Sequence, residues 1–341
     1  MNLNLIIDPE YINDQLTSSD QAIRVASFFL NFNRKHKRNF IIIQDKDRNI
    51  VNMMIHQLKY QFENIDENDS KHLEIFLLAL RQGTQDRDFV SEETYDGDIK
   101  KFFSNLKNKN IPVEALITEK KPPDKNIYCF KIEDNNKLID ILDKYTNRVD
   151  IKTNEDFEFY RQSLFKTFWC SEKITIVALE FLKALTNKKF IGRTSLKICD
   201  KNKREYDRGL EFILSAFLNN EKIVKKRIKI EIVAGCFKSL YGYNCTEEQF
   251  NEYLERDKKI IYELLSKFKN KFEISCKFVK WNSKKEVHGR RILSNYGGFA
   301  TEIMPFEVFN STATKEKVEF YYKNNGFRWI EPEEYTHSIA Y

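Results

Sequence analysis

The chain contains little glycine and proline, 10 and 6 of its 341 residues, which excludes collagen-like, linker-rich and low-complexity proteins. Its six cysteines show neither a Cys-x2-Cys pair nor a paired spacing with histidine, so the sequence predicts no zinc site. No apolar run approaches the roughly 18 residues of a membrane-spanning helix, and the N-terminal residues lack the basic and long apolar regions of a signal peptide. We therefore expect a cytoplasmic protein without a transmembrane segment, with reduced, mostly buried cysteines and no cofactor.

Aromatic residues are abundant: the chain has 28 Phe and 16 Tyr, and hydrophobic residues make up 41% of it. This is ample for buried cores, and the length suits two domains or one large one. We predict an α/β protein of two domains, an N-terminal sheet domain over residues 1–150 and a C-terminal α/β domain with a helical lead-in over residues 151–341. The polar segment 146–156 is the candidate boundary between them.

Short apolar segments alternate with amphipathic ones along the first half, which is typical of an α/β domain. The predicted strands cover residues 4–7, 40–43, 113–117 and 127–132, and the predicted helices cover residues 20–33, 49–62 and 99–107. Residues 73–80 fit a strand or a helix equally. Because the strands are short, apolar and separated by helices, we expect a parallel sheet with both faces covered.

Two acidic residues follow predicted strands of the first half, Asp8 after the first strand and Asp45 after the second. Ligands of open α/β sheets bind beyond the carboxyl ends of the strands. With Asp47, Asp86 or Asp88, these carboxylates would form a divalent-cation cluster loosely similar to that of PIN-type nucleases. The alternative is that they cap helices, as acidic residues in turns usually do. The role of this domain stays open, with Rossmann-like and PIN-like domains as the candidates.

The second half is expected to alternate longer helices with strands. Residues 157–187 and 207–219 show the apolar spacing of amphipathic helices, and 251–269 is a third helical run. The expected strands cover residues 229–234 and 272–281, with weaker strand signals at 318–322 and 327–330. The strand at 272–281 leads directly into the most informative segment of the chain.

That segment contains His288, Arg290 and Asn295 in the spacing H-x-R-x4-N, next to a pair of glycines. A strand places residues i and i+2 on one face, so His288 and Arg290 are expected to project together. The imidazole of His288 is suited to attack phosphorus, the guanidinium of Arg290 to hold phosphoryl oxygens, and the amide of Asn295 to orient the imidazole. The three residues therefore predict a phosphate site, and they are the candidate catalytic residues.

This spacing resembles the half-site of the phospholipase D superfamily, H-x-K-x4-D, with Arg290 in place of Lys and Asn295 in place of Asp. The resemblance covers roughly residues 225–310. It implies a phospholipase D-like α/β domain and metal-independent phosphodiester chemistry through a phosphohistidine at His288. The superfamily needs two half-sites, and the other four histidines of the chain supply no second one. Activity would therefore require a homodimer.

Three alternatives for the function stay open. The first is a metal-independent nuclease that works as a dimer. The second is a degenerate, non-catalytic domain that binds nucleic acid or phosphoinositide headgroups, and both replacements, Arg for Lys and Asn for Asp, favour it. The third is a structural subunit that binds a protein partner in a larger complex. A bacterial antiviral defence assembly is a setting that suits such a subunit.

Positive charge is concentrated in the second half, where residues 151–341 carry 35 Lys and Arg against 26 Asp and Glu. A basic half that contains a phosphate-binding pattern is typical of a polyanion binder. We therefore expect nucleic-acid contacts from six basic residues beside the motif and in a second cluster, namely Lys284, Lys285, Arg291, Lys225, Lys226 and Arg227. The alternative is that these side chains only form solvated surfaces.

Overall fold

The computed structural model of the chain describes residues 3–16, 21, 24–25, 27–28, 40–62, 88–134, 136–137, 140–141, 149–151, 154–178, 209–218, 220–236, 245–280, 290–294, 297–301, 316–321 and 334–340. The chain divides into two compact units, Met1–Asn147 and Arg148–Tyr341. Each unit is built around one β-sheet, with helices between some of its strands. The protein is therefore an α/β protein.

The sheet of the first unit has five strands, and every neighbouring pair is parallel, as predicted. The strand order is β3-β2-β1-β4-β5. Side chains of β1 are buried on both faces, which explains its unbroken apolar sequence. The strands are β1 (Leu3–Ile7), β2 (Phe40–Gln44), β3 (Asp88–Val90), β4 (Ala115–Ile117) and β5 (Tyr128–Phe130).

Three α-helices accompany this sheet: α1 (Pro9–Gln15), α2 (Asn49–Phe62) and α3 (Ile99–Asn108). Helix α3 begins after Asp98, whose carboxylate accepts hydrogen bonds from the backbone N–H groups of Lys100 and Lys101. The bounds of α2 match the prediction, whereas β4 and β5 are shorter than predicted. After β5, a 3-10 turn, Ile132–Asp134, begins at the last residue of the predicted strand. The described residues of the predicted helix 20–33 are helical, and residues 73–80 lie outside the described residues.

The second unit contains an eight-stranded mixed sheet in the order β13-β9-β8-β7-β10-β11-β12-β6. Strands β7, β8 and β9 are parallel, and the remaining pairs are antiparallel. The strands are β6 (Val149–Ile151), β7 (Lys173–Ala178), β8 (Lys229–Cys236), β9 (Glu273–Lys280), β10 (Arg290–Ser294), β11 (Gly297–Thr301), β12 (Glu316–Tyr321) and β13 (Glu334–Ala340). The helices include α4 (Asn154–Phe168), α5 (Asn220–Val224) and α6 (Glu247–Ser266), and residues 209–215 are also helical. Within the described residues, no helix is long and apolar enough to cross a membrane.

The predicted helix 157–187 is wrong over residues 173–178, which form strand β7, and residues 179–187 lie outside the described residues. This segment, Lys-Ile-Thr-Ile-Val-Ala, is rich in β-branched residues, which fit a pleated sheet better than a helix. Its apolar residues, interrupted only by Thr175, are too few for periodicity to distinguish a buried strand from a buried helix. The predicted boundary segment also contains a strand, since β6 pairs with β12.

The two faces of the parallel strands differ in their surroundings. On one face Ile174, Ile176 and Ile232 are fully buried. On the other face Val177, Val233 and Val279 form a buried cluster towards the carboxyl ends, with Leu293 packed against it. Side chains nearer the amino ends of this second face are only partly buried or exposed. The sheet is therefore anchored by one fully apolar face and by the carboxyl half of the other.

Substituting one residue on each face tests whether residues 173–178 form a strand. We expect Ile176→Ala to lower the free energy of unfolding by about 2–4 kcal/mol, because it leaves a cavity in a fully buried site. The neighbouring Thr175→Ala should change it by less than about 1 kcal/mol, because Thr175 is only partly buried. Urea unfolding followed by circular dichroism measures both values. Equal losses would contradict the alternation.

Candidate functional site

The predicted phosphate motif is connected to the carboxyl ends of the parallel strands. Strand β10 runs antiparallel to β7, and its first residue, Arg290, pairs with Ala178, the last residue of β7. Strands β8 and β9 point in the same direction as β7. The backbone of Arg290 thus lies at the edge where ligands of open α/β sheets bind. His288 and Asn295 lie outside the described residues, and Arg290 is described by its backbone alone.

The second basic cluster, Lys225, Lys226 and Arg227, lies at the opposite end of the sheet. It precedes β8, whose first residue, Lys229, pairs with Lys173 at the amino end of β7. With about 3.3 Å per strand residue, the two ends of the six-residue strand β7 are about 17 Å apart. The sheet therefore separates this cluster from the start of β10, so the two predicted basic regions do not form one patch at a single edge.

The side chains of this second cluster make structural contacts. Lys226 Nζ lies 2.7 Å from Glu172 Oε1 in an exposed ion pair. The guanidinium of Arg227 donates to the backbone carbonyls of Lys269 and Phe272, which join the end of α6 to β9. Positive charge at the amino ends of the strands is thus partly balanced, and Arg227 serves the fold.

The remaining predicted nucleic-acid contacts divide into two groups. Lys284 and Lys285 lie outside the described residues. Arg291 is only 7% exposed, and it pairs in register with Val177 and Ala300. Its side chain is thus on the same face of the sheet as the buried valine cluster, and little of it is left to contact a polyanion on the surface. Periodicity did not reveal this, because only the pairing of β10 determines which of its two arginines faces which side.

In the first unit, polar residues converge at the carboxyl edge of the sheet between β1 and β4. The chain first adds β2 and β3 on one side of β1 and then crosses to β4 on the other side, so this is the topological switch point of the sheet. Asp8 follows β1 and is fully buried, while Thr118 follows β4. The Thr118 hydroxyl donates to Asp8 Oδ2 over 2.8 Å, and the Asp8 backbone N–H donates to the Ile117 carbonyl over 3.0 Å.

Lys120 supplies a positive charge beside Asp8. Its Nζ lies 2.8 Å from Glu10 Oε2 and 3.5 Å from Asp8 Oδ2. The hydrogen bond to Glu10 and the charge of Asp8 raise the pKa of Lys120. The ammonium group thus lies between the two carboxylates, where a bound cation would otherwise lie. Among the described residues, no group of three or more His, Cys, Asp or Glu side chains is arranged to hold a metal ion.

Asp45 supports the capping alternative. Its Oδ1 accepts a hydrogen bond from the backbone N–H of Asn49 over 2.7 Å, and its Oδ2 accepts one from the Asn49 side chain over 3.1 Å. Both contacts fix the start of α2. Asp86, which the cation-cluster alternative invoked, lies outside the described residues. The two acids that follow the first two strands therefore differ: Asp45 begins a helix, and Asp8 lies in a polar cluster.

Tyr95 completes this cluster, and its role was not predicted from the sequence. Its ring packs edge to face on Phe102 of α3, with ring centroids 6.0 Å apart. Burial, followed by the negative charges of Asp8, Glu10 and Asp98, raises the pKa of Tyr95. Contact of its buried hydroxyl with the Asp8 carboxylate also raises this pKa. Within the described part of the chain, neither this hydroxyl nor Asp8 Oδ1 meets a partner in good hydrogen-bonding geometry.

A signal for part of this cluster was present in the sequence. Thr118 directly follows the predicted strand 113–117, so it belongs to the same edge of a parallel sheet as Asp8. Only acidic residues were predicted at that edge, so Thr118 and Lys120 were not among the predicted site residues. Tyr95 lies in a polar loop four residues before α3 begins at Ile99. No strand or helix pattern in the sequence marks it.

The chain matches no model of a known protein family, and a search of the curated proteins finds no match either. The resemblance to the phospholipase D superfamily therefore stays a prediction from the H-x-R-x4-N spacing.

Comparing Tyr11 with Tyr95 tests how the two hydroxyl groups differ in hydrogen bonding. The hydroxyl of Tyr11 accepts a hydrogen bond from the Ile132 backbone N–H over 3.0 Å, and burial raises the pKa of Tyr11 to about 12. Tyr11→Phe leaves that buried N–H unpaired and should lower the free energy of unfolding by about 1–3 kcal/mol. Tyr95→Phe should lower it less, because the Tyr95 hydroxyl meets no partner in good hydrogen-bonding geometry among the described residues. Urea unfolding checks both, and a larger loss for Tyr95→Phe would contradict the assignment.

Proposed function

We propose that the second unit binds the phosphates of a nucleic-acid backbone, as a degenerate phospholipase D-like domain. The observation that supports this most is the register of β10, in which Arg290 pairs with the last residue of β7. This register connects the H-x-R-x4-N motif to the carboxyl edge of three parallel strands, where α/β sheets bind ligands. If the motif lay at the amino edge, its resemblance to a phosphate site would be better explained as a coincidence.

Each motif residue has a distinct role in this proposal. The guanidinium of Arg290 is planar and holds two phosphate oxygens at once, which a lysine does not do. His288 donates a hydrogen bond to a third oxygen, and Asn295 orients the imidazole. Asn295 carries no charge, so it does not stabilise an imidazolium as the aspartate of a His–Asp pair does. The motif is consequently better suited to holding a phosphodiester than to cleaving it.

The amino edge of the same sheet does not take part in this proposal. Lys226 is ion-paired with Glu172, and Arg227 donates to backbone carbonyls. Nucleic acid is a better ligand for the carboxyl edge than a neutral partner, because each phosphate that binds a cation releases condensed counterions. Binding should therefore weaken steeply as salt is raised.

Two single-charge variants at opposite ends of the sheet test the proposal. We expect Arg290→Ala to weaken binding of labelled single- and double-stranded DNA and RNA about tenfold, or about 1.4 kcal/mol. The slope of log affinity against log salt concentration should become shallower by about 1, which corresponds to the loss of one phosphate contact. Lys226→Ala removes the same charge at the other end and should change neither quantity. Fluorescence polarisation over a salt series measures both.

The same samples distinguish the alternatives. Cleavage in EDTA that disappears in His288→Ala would favour the dimeric phosphohistidine nuclease over the binding module. Binding of phosphoinositide vesicles without binding of nucleic acid would favour a headgroup site. Equal loss of affinity in Arg290→Ala and Lys226→Ala would mean that the chain binds polyanions through general positive charge, and the proposal would be wrong.

A further inference from the structure

Arg291 is a buried cation on the sheet of the second unit. Its side chain is 7% exposed, and its pairing with Val177 places it on the face where Val177, Val233 and Val279 are buried. Arginine stays charged in proteins, and it is almost never fully buried unless it is paired. The position of Arg291 therefore requires a carboxylate within reach of its guanidinium.

The register of β10, β11 and β12 brings one glutamate to this position. Arg291 pairs with Ala300, and Ala300 pairs with Glu319. Directly paired residues lie on the same face of a sheet, so these three residues share one row and one face. Two strand spacings separate the backbones of Arg291 and Glu319 by about 10 Å. Because the residue between them is only an alanine, the longer side chains of arginine and glutamate can meet across it.

Other charged residues of this face have opposite charges beside them. Lys317, two residues before Glu319 in β12, pairs in register with Asp150 of β6. On the other side of β10, Glu231 belongs to the same face, and its Oε2 lies 3.4 Å from Lys173 Nζ. Glu319 is the acid that the register places in line with the buried guanidinium.

We propose that Arg291 and Glu319 form an ion pair across β11, and that this pair positions Arg290 for phosphate binding. A one-residue slip of β10 would move Arg291 to the opposite face, where Ile292 and Ile176 are fully buried. The guanidinium would then be buried among apolar side chains without its carboxylate, which is strongly unfavourable. The pair thereby fixes the register in which Arg290 meets the last residue of β7.

Arg291 is a positioning residue in this arrangement, because it acts through Arg290 and does not touch the ligand. The positioning role rests on the proposed function of the second unit, whereas the ion pair does not. Two separate readouts are therefore needed. The melting temperature of the free protein reports the ion pair, and the affinity for nucleic acid reports the positioning.

Replacing one carboxylate of β12 at a time tests the ion pair. Glu319→Gln should lower the melting temperature of the full chain by at least about 5 °C, because it leaves a buried guanidinium without its counter-charge. The matched control Glu316→Gln lies on the opposite face of the same strand and should shift it by less than about 2 °C. In an Arg291→Met background, Glu319→Gln should no longer lower it, as expected for two residues in contact.

Two results would overturn the ion pair. One is an equal effect of Glu319→Gln and Glu316→Gln, and the other is an undiminished effect of Glu319→Gln in the Arg291→Met background. If Arg291→Met does not fold, the comparison of the two glutamine variants still decides, because each replaces a carboxylate by an amide of the same shape.

The affinity for a labelled oligothymidylate tests the positioning, measured by fluorescence polarisation below the melting temperature of each variant. Removing a negative charge normally strengthens the binding of a polyanion. Glu319→Gln should instead weaken it at least about threefold, because the position of Arg290 is less well fixed. The slope of log affinity against log salt concentration should not change, since no phosphate contact is lost.

The same titrations separate the possible failures. Unchanged or stronger binding by Glu319→Gln would overturn the positioning role. A shallower salt slope in Arg291→Met would mean that Arg291 contacts phosphate directly, and the inference would be wrong. If Arg290→Ala binds the oligonucleotide like the wild type, the proposed function fails, while the melting temperatures still decide the ion pair.

Discussion

Parallel hydrogen bonding between apolar strands is the constraint on which both units depend. Parallel strands share one direction, so everything that follows them in the chain emerges at one edge. In the first unit this brings Asp8 and Thr118 into contact, although they are 110 residues apart. In the second unit it assembles β7, β8 and β9, and antiparallel β10 then begins at their carboxyl ends. The direction of the strands thus determines the edge of the sheet at which these polar residues lie.

Elements with clear periodicity could be predicted from the sequence, and elements decided by pairing could not. Helix α2 has the predicted bounds, because its sequence carries the helical apolar spacing. The sequence predicts a helix where β7 lies, because its short apolar segment is compatible with either structure. Strand β6 has only three residues and pairs with β12, which is more than 150 residues away in the chain. No local pattern encodes a partner at that distance.

The candidate sites show the same division. Asp8 and Asp45 could be selected from the sequence because acids after strands lie at the ligand-binding edge. Their different roles depend on neighbours that the fold supplies: Asp45 meets the first N–H groups of α2, whereas Asp8 meets Thr118 across the switch point. Tyr95 arrives from a loop after β3 and packs on α3. These contacts depend on the strand order β3-β2-β1-β4-β5. That order cannot be read from composition or residue spacing.

Net charge alone is a weak guide to a binding surface in this chain, because the sheet distributes charge by position. The cations before β8 lie at the amino edge, where Glu172 and Glu273 offset Lys226 and Lys229. Arg291 is removed from the surface by the alternation of β10. A phosphate at the opposite edge would meet a different set of charges, beginning at Arg290. Binding through the total positive charge would involve both edges of the sheet, whereas binding through the motif would involve one. Removing a positive charge at one edge of the sheet at a time therefore distinguishes binding through the motif from binding through total charge.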